Sequence, residues 1–167
     1  MKISVLLPYK ENYTPLNAGA VSLFVKDMNN VSYFKNSTFI FGNTSSNKKL
    51  SKNYINLDLK KKILHSTSKL YVESFLNKEK KINTDLIEIH NRPNYVKLIR
   101  NKISKKIILF FHNDPLTMNG SKSNNERIYL LNNVDKIIFN SNWSKKRFFL
   151  DLGNNKLLSQ KTSVCYQ

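Results

Sequence analysis

Short apolar runs alternate along this chain with longer stretches of helical period. Ile3 to Leu7 is a short apolar run, broken only by Ser4, that stops at Pro8. Its length and flanks predict a buried strand. From Ala18 to Met28, the residues Val21, Phe24, Val25 and Met28 recur at spacings of three and four, which predicts a helix with those four side chains inward. Strands are expected at Thr38–Phe41 and Tyr54–Leu57. A long amphipathic helix follows from Leu59 to Lys81, with Leu59, Ile63, Leu70, Tyr71 and Phe75 on one side and lysines on the other. Asp85–Ile89 reads as a fourth strand, and Val96, Leu98, Ile99 and Ile103 as the apolar positions of another helix.

Lys106–Phe111 is the strongest strand signal, leading straight into His112-Asn113-Asp114-Pro115. The segment Asn124–Val134 predicts a helix with Ile128 and Leu131 inward, and Lys136–Phe139 a sixth strand ending at Asn140-Ser141-Asn142. Ser141 or Asn142 is placed to cap a helix carrying Trp143, Phe148, Phe149 and Leu152. Lys161–Tyr166 reads as a last strand. The stretches Asn43–Lys52 and Thr117–Asn125 read as exposed loops.

Strand runs apolar on both faces and separated by helices imply a parallel sheet covered on both sides. With right-handed crossovers this is an α/β, Rossmann-like, doubly wound and mainly parallel sheet of about seven strands with helices on both faces. Such sheets bind ligands beyond the carboxyl ends of their strands. Pro8-Tyr9-Lys10, His90-Asn91-Arg92, His112-Asn113-Asp114 and Asn140-Ser141-Asn142 all fall at those ends, so a functional cleft is expected along that rim.

Composition adds a strong charge bias. The 167 residues hold 28 Lys+Arg against 11 Asp+Glu, a formal net charge of +17. That balance favours polyanionic partners, although a chain so rich in Lys, Asn and Ile also carries lysines that only solvate its surface. The single cysteine, Cys165, rules out an internal disulfide and fits a reducing compartment. Ile3–Leu7 is too short for a signal core or a membrane span, so a cytoplasmic protein is expected, with any membrane contact peripheral.

Several chemistries lack their residues. No G-x-G-x-x-G follows the first strand, there is no P-loop or G-x-S-x-G elbow, and no Cys/His cluster has zinc spacing. No dinucleotide cofactor and no metal are therefore expected. Gly19 and Ala20, at the start of the first helix, could let a diphosphate approach free amide donors, although Gly19 could equally pack against the sheet. His112 is the candidate catalytic residue, because an imidazole at a central strand mouth can exchange a proton with a sugar hydroxyl or hydrogen-bond a developing charge. His90 and Arg92 sit equivalently on the preceding strand, and Arg92 can pair with a phosphate or carboxylate. His65 lies in the basic stretch and reads as surface.

The order of these units carries a resemblance. The first strand, its loop and Gly19-Ala20-Val21-Ser22, then Phe111-His112-Asn113-Asp114, then Val134–Asn142, resemble the N-terminal half of retaining glycosyltransferases of the family 4 type, which have the GT-B fold. Lys161–Gln167 matches the strand that precedes the interdomain turn. The resemblance implies one domain, residues 1–167, on the acceptor side, with the C-terminal nucleotide-sugar domain absent from this chain and the isolated piece inactive. It implies a nucleotide-sugar donor and a glycan or lipid-linked, lipopolysaccharide-type acceptor. Donor phosphate would lie at Gly19 and Ala20, the transferred sugar at His112, and the acceptor at His90, Asn91, Arg92, Asn113 and Asp114. Asn140 and Ser141 would complete the cleft, without metal. The family's Gly-Gly pair is Ala18-Gly19 here. Lysines at 60–62 and 78–81 then suggest docking on an anionic inner membrane face. The competing class is a basic nucleic-acid-binding or regulatory α/β module. Against it, lysines and aromatics do not interleave in one tract. Other GT-B-like enzymes, such as sugar-nucleotide epimerases, are a further alternative.

Overall fold

A computed structural model describes residues 1–59, 66–152 and 160–166. The chain forms a seven-stranded sheet of order β3-β2-β1-β4-β5-β6-β7 with five α-helices among the described residues. This is the α/β Rossmann-like architecture expected of the pattern. Contacts divide it into two compact units, Met1–Ile87 and Glu88–Gln167, with the fourth strand, β4 (Leu86–His90), straddling the boundary.

In the first unit, β1 (Ile3–Leu6) is buried at every position and pairs in parallel with β2 (Thr38–Gly42), Ile3 opposite Thr38 and Leu6 opposite Phe41. β3 (Tyr54–Asn56) adds in parallel to β2, with Gly42 opposite Asn56. A Cβ on Gly42 would come within 2.7 Å of the Tyr54 hydroxyl, so no larger residue fits as the ring now lies. Helix α1 (Ala20–Val31) starts two residues later than its apolar period suggests, because Gly19 is still extended. Val21 and Val25 are buried as expected, but Met28 is 45% exposed.

Helix α2 (Thr67–Ile82) ends one residue past the predicted span, and Leu59, expected on its apolar side, is not helical; residues 60–65, including His65 and the lysines at 60–62, fall outside the described residues. Ser66 caps its start by accepting from the Lys69 amide, and Asn83 in the left-handed region ends it. Tyr71 and Phe75 are fully buried, the Tyr71 hydroxyl donating to the Leu7 carbonyl at 3.0 Å and Phe75 meeting Phe41 edge-on at 5.0 Å. Glu79 is buried too. Its Oε1 accepts from both the amide and the hydroxyl of Thr84 at 2.9 Å, which pins the helix end beside Ser4.

In the second unit, β5 (Lys106–Phe111), β6 (Lys136–Phe139) and β7 (Thr162–Val164) pair in parallel, Phe111 opposite Phe139 and Phe139 opposite Val164. Helices α3 (Asn94–Arg100), α4 (Asn124–Asn133) and α5 (Asn142–Phe149) connect them. Phe111, Phe139 and Phe148 pack with centroids 5.3 to 5.6 Å apart. Ser141 caps α5 through the Ser144 amide, and Leu152 lies beyond the helix end.

The expected inward face of α4 is corrected by one position. Leu131 is buried, whereas Ile128 is 40% exposed and Arg127 takes the inner place at 2%. Its guanidinium donates to the carbonyls of Lys122 and Leu150 and to Asn124 Oδ1 at 2.6 to 2.8 Å. Burial pushes the Arg127 pKa down, opposed by the charges of Asp151 and Glu126. This arginine ties the segment before α4 to the end of α5. The loop preceding it is more ordered than an exposed connection. Ser121 is fully buried, and Gly120 (φ 96°) is needed because a Cβ there would lie 2.5 Å from the Asn94 amide nitrogen.

Replacing Arg127 with Met removes the guanidinium donors of the Lys122 and Leu150 carbonyls. Arg127→Met is expected to lower stability by about 2–4 kcal/mol, read as a shifted urea midpoint at unchanged m-value. A shift under about 0.5 kcal/mol would mean that solvent replaces the guanidinium.

Candidate functional site

Each unit presents polar groups where its strands end. In the first unit, the chain leaving β1 turns sharply at Lys10, a non-glycine residue with φ of 66°, and the Glu11 amide donates to the Pro8 carbonyl at 3.0 Å. Thr44, just after β2, holds this loop: its hydroxyl donates to the Glu11 carbonyl at 3.2 Å and accepts from the Tyr13 amide at 2.9 Å. An open recess of about 600 Å³ lies there, lined by Lys10, Asn12, Asn43, Thr44, Ser45 and Asn56. Those residues follow or end β1, β2 and β3, where parallel sheets receive ligands. Of them, only Lys10 stood out in the sequence.

Gly19 and Ala20 do sit at the start of α1, but the space beside Gly19 is taken. A Cβ on Gly19 would lie 2.0 Å from Glu11 Oε1. That same oxygen accepts from the Ser22 amide at 3.1 Å. The Glu11 carboxylate therefore occupies the positive end of α1, the place a diphosphate would take. Gly19 keeps an ordinary extended backbone (φ −74°), so its smallness serves space and not conformational freedom. Glu11 lay outside the sequence reading because nothing in its spacing links it to Ser22.

In the second unit, four of the predicted residues join into one cluster at the ends of β4, β5 and β6. His90 Nδ1 and His112 Nε2 are 2.9 Å apart, with the side chains 1% and 9% exposed. The His112 amide donates to Asn91 Oδ1 at 3.3 Å, and Asn140 Nδ2 donates to the His112 carbonyl at 2.7 Å. Asn91 adopts φ of 56°, a left-handed conformation that Asn tolerates, while its amide still pairs with the Phe110 carbonyl at 2.8 Å. Ser141 lies against Asn140 Oδ1 at 3.4 Å, and Ser144 donates to that same oxygen at 2.7 Å. Arg92 Nη1 donates to the Asn91 carbonyl at 2.7 Å, and Asn113 is exposed.

Asp114 is engaged by protein. Arg147 Nη2 donates to its Oδ2 at 3.0 Å, and the Leu116 amide to its Oδ1 at 3.0 Å. Burial raises the Asp114 pKa, but the Arg147 hydrogen bonds, the Leu116 amide and the Arg147 charge together hold the carboxyl below its ordinary value. Asp114 thus fastens the segment after β5 to α5. Among the described residues, no group of three or more His, Cys, Asp or Glu could hold a metal ion. No helix among them is long and apolar enough to cross a membrane.

No protein-family model and no curated protein matches the chain. Solved structures do. A sucrose-phosphate synthase from Thermosynechococcus elongatus superposes with a TM-score of 0.65 at 13% identity, over 99% of this chain and 48% of that one. Anabaena HepE, solved in complex with UDP and glucose, superposes with a TM-score of 0.62 at 16% identity, over 100% of this chain and 44% of that one. HepE solved with UDP-glucose gives 0.64 at 13% identity, over 99% and 44%. These likenesses support a GT-B-like fold, and the chain spans about half the length of the proteins it matches.

Two outcomes follow from this geometry. Gly19→Ala is expected to expel the Glu11 carboxylate from the α1 terminus and cost about 0.5–1 kcal/mol at low salt. The same change in a Glu11→Ala background should be nearly neutral, and a thermal-melting double-mutant cycle reads the difference; additive losses would place the conflict elsewhere. Asp114 gives the second. Its depressed folded-state pKa means its stabilisation is complete above the unfolded value and is lost as pH falls below about 4. Asp114→Asn should flatten that acid limb, measured as urea-unfolding free energy against pH, and an unchanged slope would remove Asp114 from it.

Proposed function

We propose that this chain is the N-terminal, acceptor-side half of a nucleotide-sugar glycosyltransferase, acting together with a second α/β domain encoded beyond Gln167. The observation that carries this reading is the hydrogen-bonded His90–Asn91–His112–Asn140 cluster, its two histidines buried, at the strand ends of a fold shared with about half of HepE and half of sucrose-phosphate synthase. In it, His112 meets the transferred sugar, and His90, Asn91, Arg92, Asn113 and Asp114 border the acceptor. The Asp114 carboxylate contributes through Arg147, which it orients. The α1 start at Gly19 and Ala20 receives the donor diphosphate once Glu11 swings aside, with amides and cations in place of a metal. The course is retaining, and residues 1–167 alone do not transfer sugar.

A lipid-linked, lipopolysaccharide-type acceptor suits the basic side of α2, where Lys69, Lys80 and Lys81 are exposed. Such a face would hold the protein peripherally on the anionic cytoplasmic leaflet. Lys78 contributes less, because its ammonium is spent on the Asn56 carbonyl at 2.6 Å and on Asp58 at 3.6 Å.

A transfer assay on the product of the whole reading frame tests the reading, using labelled nucleotide sugars with glycan and lipid-linked acceptors. Transfer is expected, falling about 10²-fold in His112→Ala. A frame without a second α/β domain and without nucleotide-sugar binding would overturn it. So would tight, salt-sensitive binding of nucleic acid at physiological ionic strength, which would favour the basic regulatory module instead.

A further inference from the structure

Trp143 is the only tryptophan of the chain, and it stands 58% exposed on the first turn of α5. So large an apolar ring is highly buried on average, so one left in water invites a ligand. It lies close to the histidine cluster. Asn140, whose Nδ2 donates to the His112 carbonyl, precedes it by three residues, so their Cα atoms are within about 11 Å of each other. The ring is also held in place. Arg147, one helical turn on, sets its guanidinium carbon 5.6 Å from an indole centroid, and Asp114 fixes that guanidinium, Nη2 donating to Oδ2 at 3.0 Å. A second exposed aromatic is tied to the same turn: the Tyr166 hydroxyl, just beyond β7, accepts from Asn142 Nδ2 at 2.7 Å.

Ordering an exposed side chain costs rotamer entropy that packing does not offset. Here a guanidinium backs one face of the indole, and exposure this large leaves the other face to solvent. That open face has a definite chemistry. An aromatic face is apolar and electron-rich, so it receives partly positive C–H groups. The cation behind it is paired with the Asp114 carboxylate, so the pair offers no net charge to a phosphate. Beside the ring lie groups that suit hydroxyls: Asn142 keeps its Oδ1 as an acceptor and Tyr166 its phenolic hydrogen as a donor. A pyranoside matches both, because it carries hydroxyls around its edge and bare C–H bonds on its face. We infer that Trp143, backed by Arg147 and Asp114, is a stacking platform for a neutral pyranoside at the strand-end rim.

Which sugar this is rests on the glycosyltransferase reading: it is a unit of the acceptor, bound beside the cluster that holds His112. Arg147 and Asp114 are positioning residues in this scheme, because they act on the sugar only through the indole. A nucleobase also stacks on tryptophan, but it arrives with phosphates, and the arginine best placed to grip them is already committed to Asp114. Helical period counted Trp143 with the apolar positions of α5, yet Phe148 is the one fully buried there. Nothing in the spacing marks the ring as a platform. That becomes visible only with Arg147 over it and Asn140 at its foot.

As the sole tryptophan, Trp143 reports on its own surroundings by fluorescence. The methyl pyranosides of glucose, galactose, mannose and rhamnose are titrated into the 167-residue chain, with sorbitol, an open-chain polyol without a ring face, as the control. At least one pyranoside should move the emission to shorter wavelength and saturate with a Kd on the order of 1–10 mM, while sorbitol leaves it unmoved. Trp143→Leu keeps apolar bulk at an exposed position and should weaken that pyranoside about tenfold, read as lost broadening of the sugar's NMR lines. Trp143→Phe should recover most of the affinity. An emission that no pyranoside moves by about 100 mM overturns the inference, as does one that sorbitol or uridine moves equally. So does an affinity that Trp143→Leu leaves intact, and the wild-type titration alone decides should that variant fail to fold. Because the readout needs neither donor nor transfer, a saturable shift alongside a silent transfer assay would keep the platform and discard the glycosyltransferase reading. Transfer without any shift would discard the platform alone.

Discussion

Parallel strands can be joined only by a crossover that carries the chain back to its starting edge, so within each compact unit the strands all end on the same side. The rest of the molecule follows from that constraint. In the unit holding β5, β6 and β7, the run from Ile107 to Phe111 is apolar because helices cover both faces, and polarity can enter only where the strand stops. His112 is the first residue past that stop, and Asn140 the first past β6. Parallel register, with Phe111 opposite Phe139, makes them neighbours without any further device.

Polar groups placed at a buried edge must then satisfy one another. The His112 amide donates to Asn91 Oδ1 and its carbonyl accepts from Asn140 Nδ2, so residues from three strand ends are locked through the backbone of a single residue. Side-chain amides suit this work because each offers a donor and an acceptor about a rigid plane. The imidazoles stack above them on Phe110 at 4.5 and 6.3 Å, which restricts their rings before any ligand arrives.

The architecture was legible because strand runs and helical periods are local signals. Lys106–Phe111 and Lys136–Phe139 needed nothing but apolar length and a polar stop. The site was legible only as a set of addresses. That His90 and His112 touch depends on how β4 and β5 align, which no spacing within either strand encodes. Arg127 outcompetes Ile128 for the inner side of α4 because carbonyls at Lys122 and Leu150 wait for it, and Leu150 is far along the chain. Glu11 reaches the amide of Ser22 across a loop, so the neighbour that explains Gly19 lay eight residues away with no period to reveal it.

The charge reads differently once its partners are visible. Several cations are consumed by the chain's own carbonyls, and they gather at a helix end. Arg100 Nε donates to the Asn133 carbonyl at 2.6 Å, and Lys161 to those of Leu131 and Val134 at 3.0 and 3.3 Å, all at the carboxyl terminus of α4. A helix C-terminus carries partial negative charge, so these residues act as caps that happen to be basic. Arg127 is buried, and Arg147 is committed to Asp114. A net charge of +17 therefore overstates what an external polyanion would meet. Counting cations treats every lysine and arginine as solvent-facing, and here structural duty draws away much of the arginine, the residue best suited to gripping phosphates. Exposed lysines such as Lys69, Lys80 and Lys81 of α2 remain, and they carry the part of the charge that meets solvent.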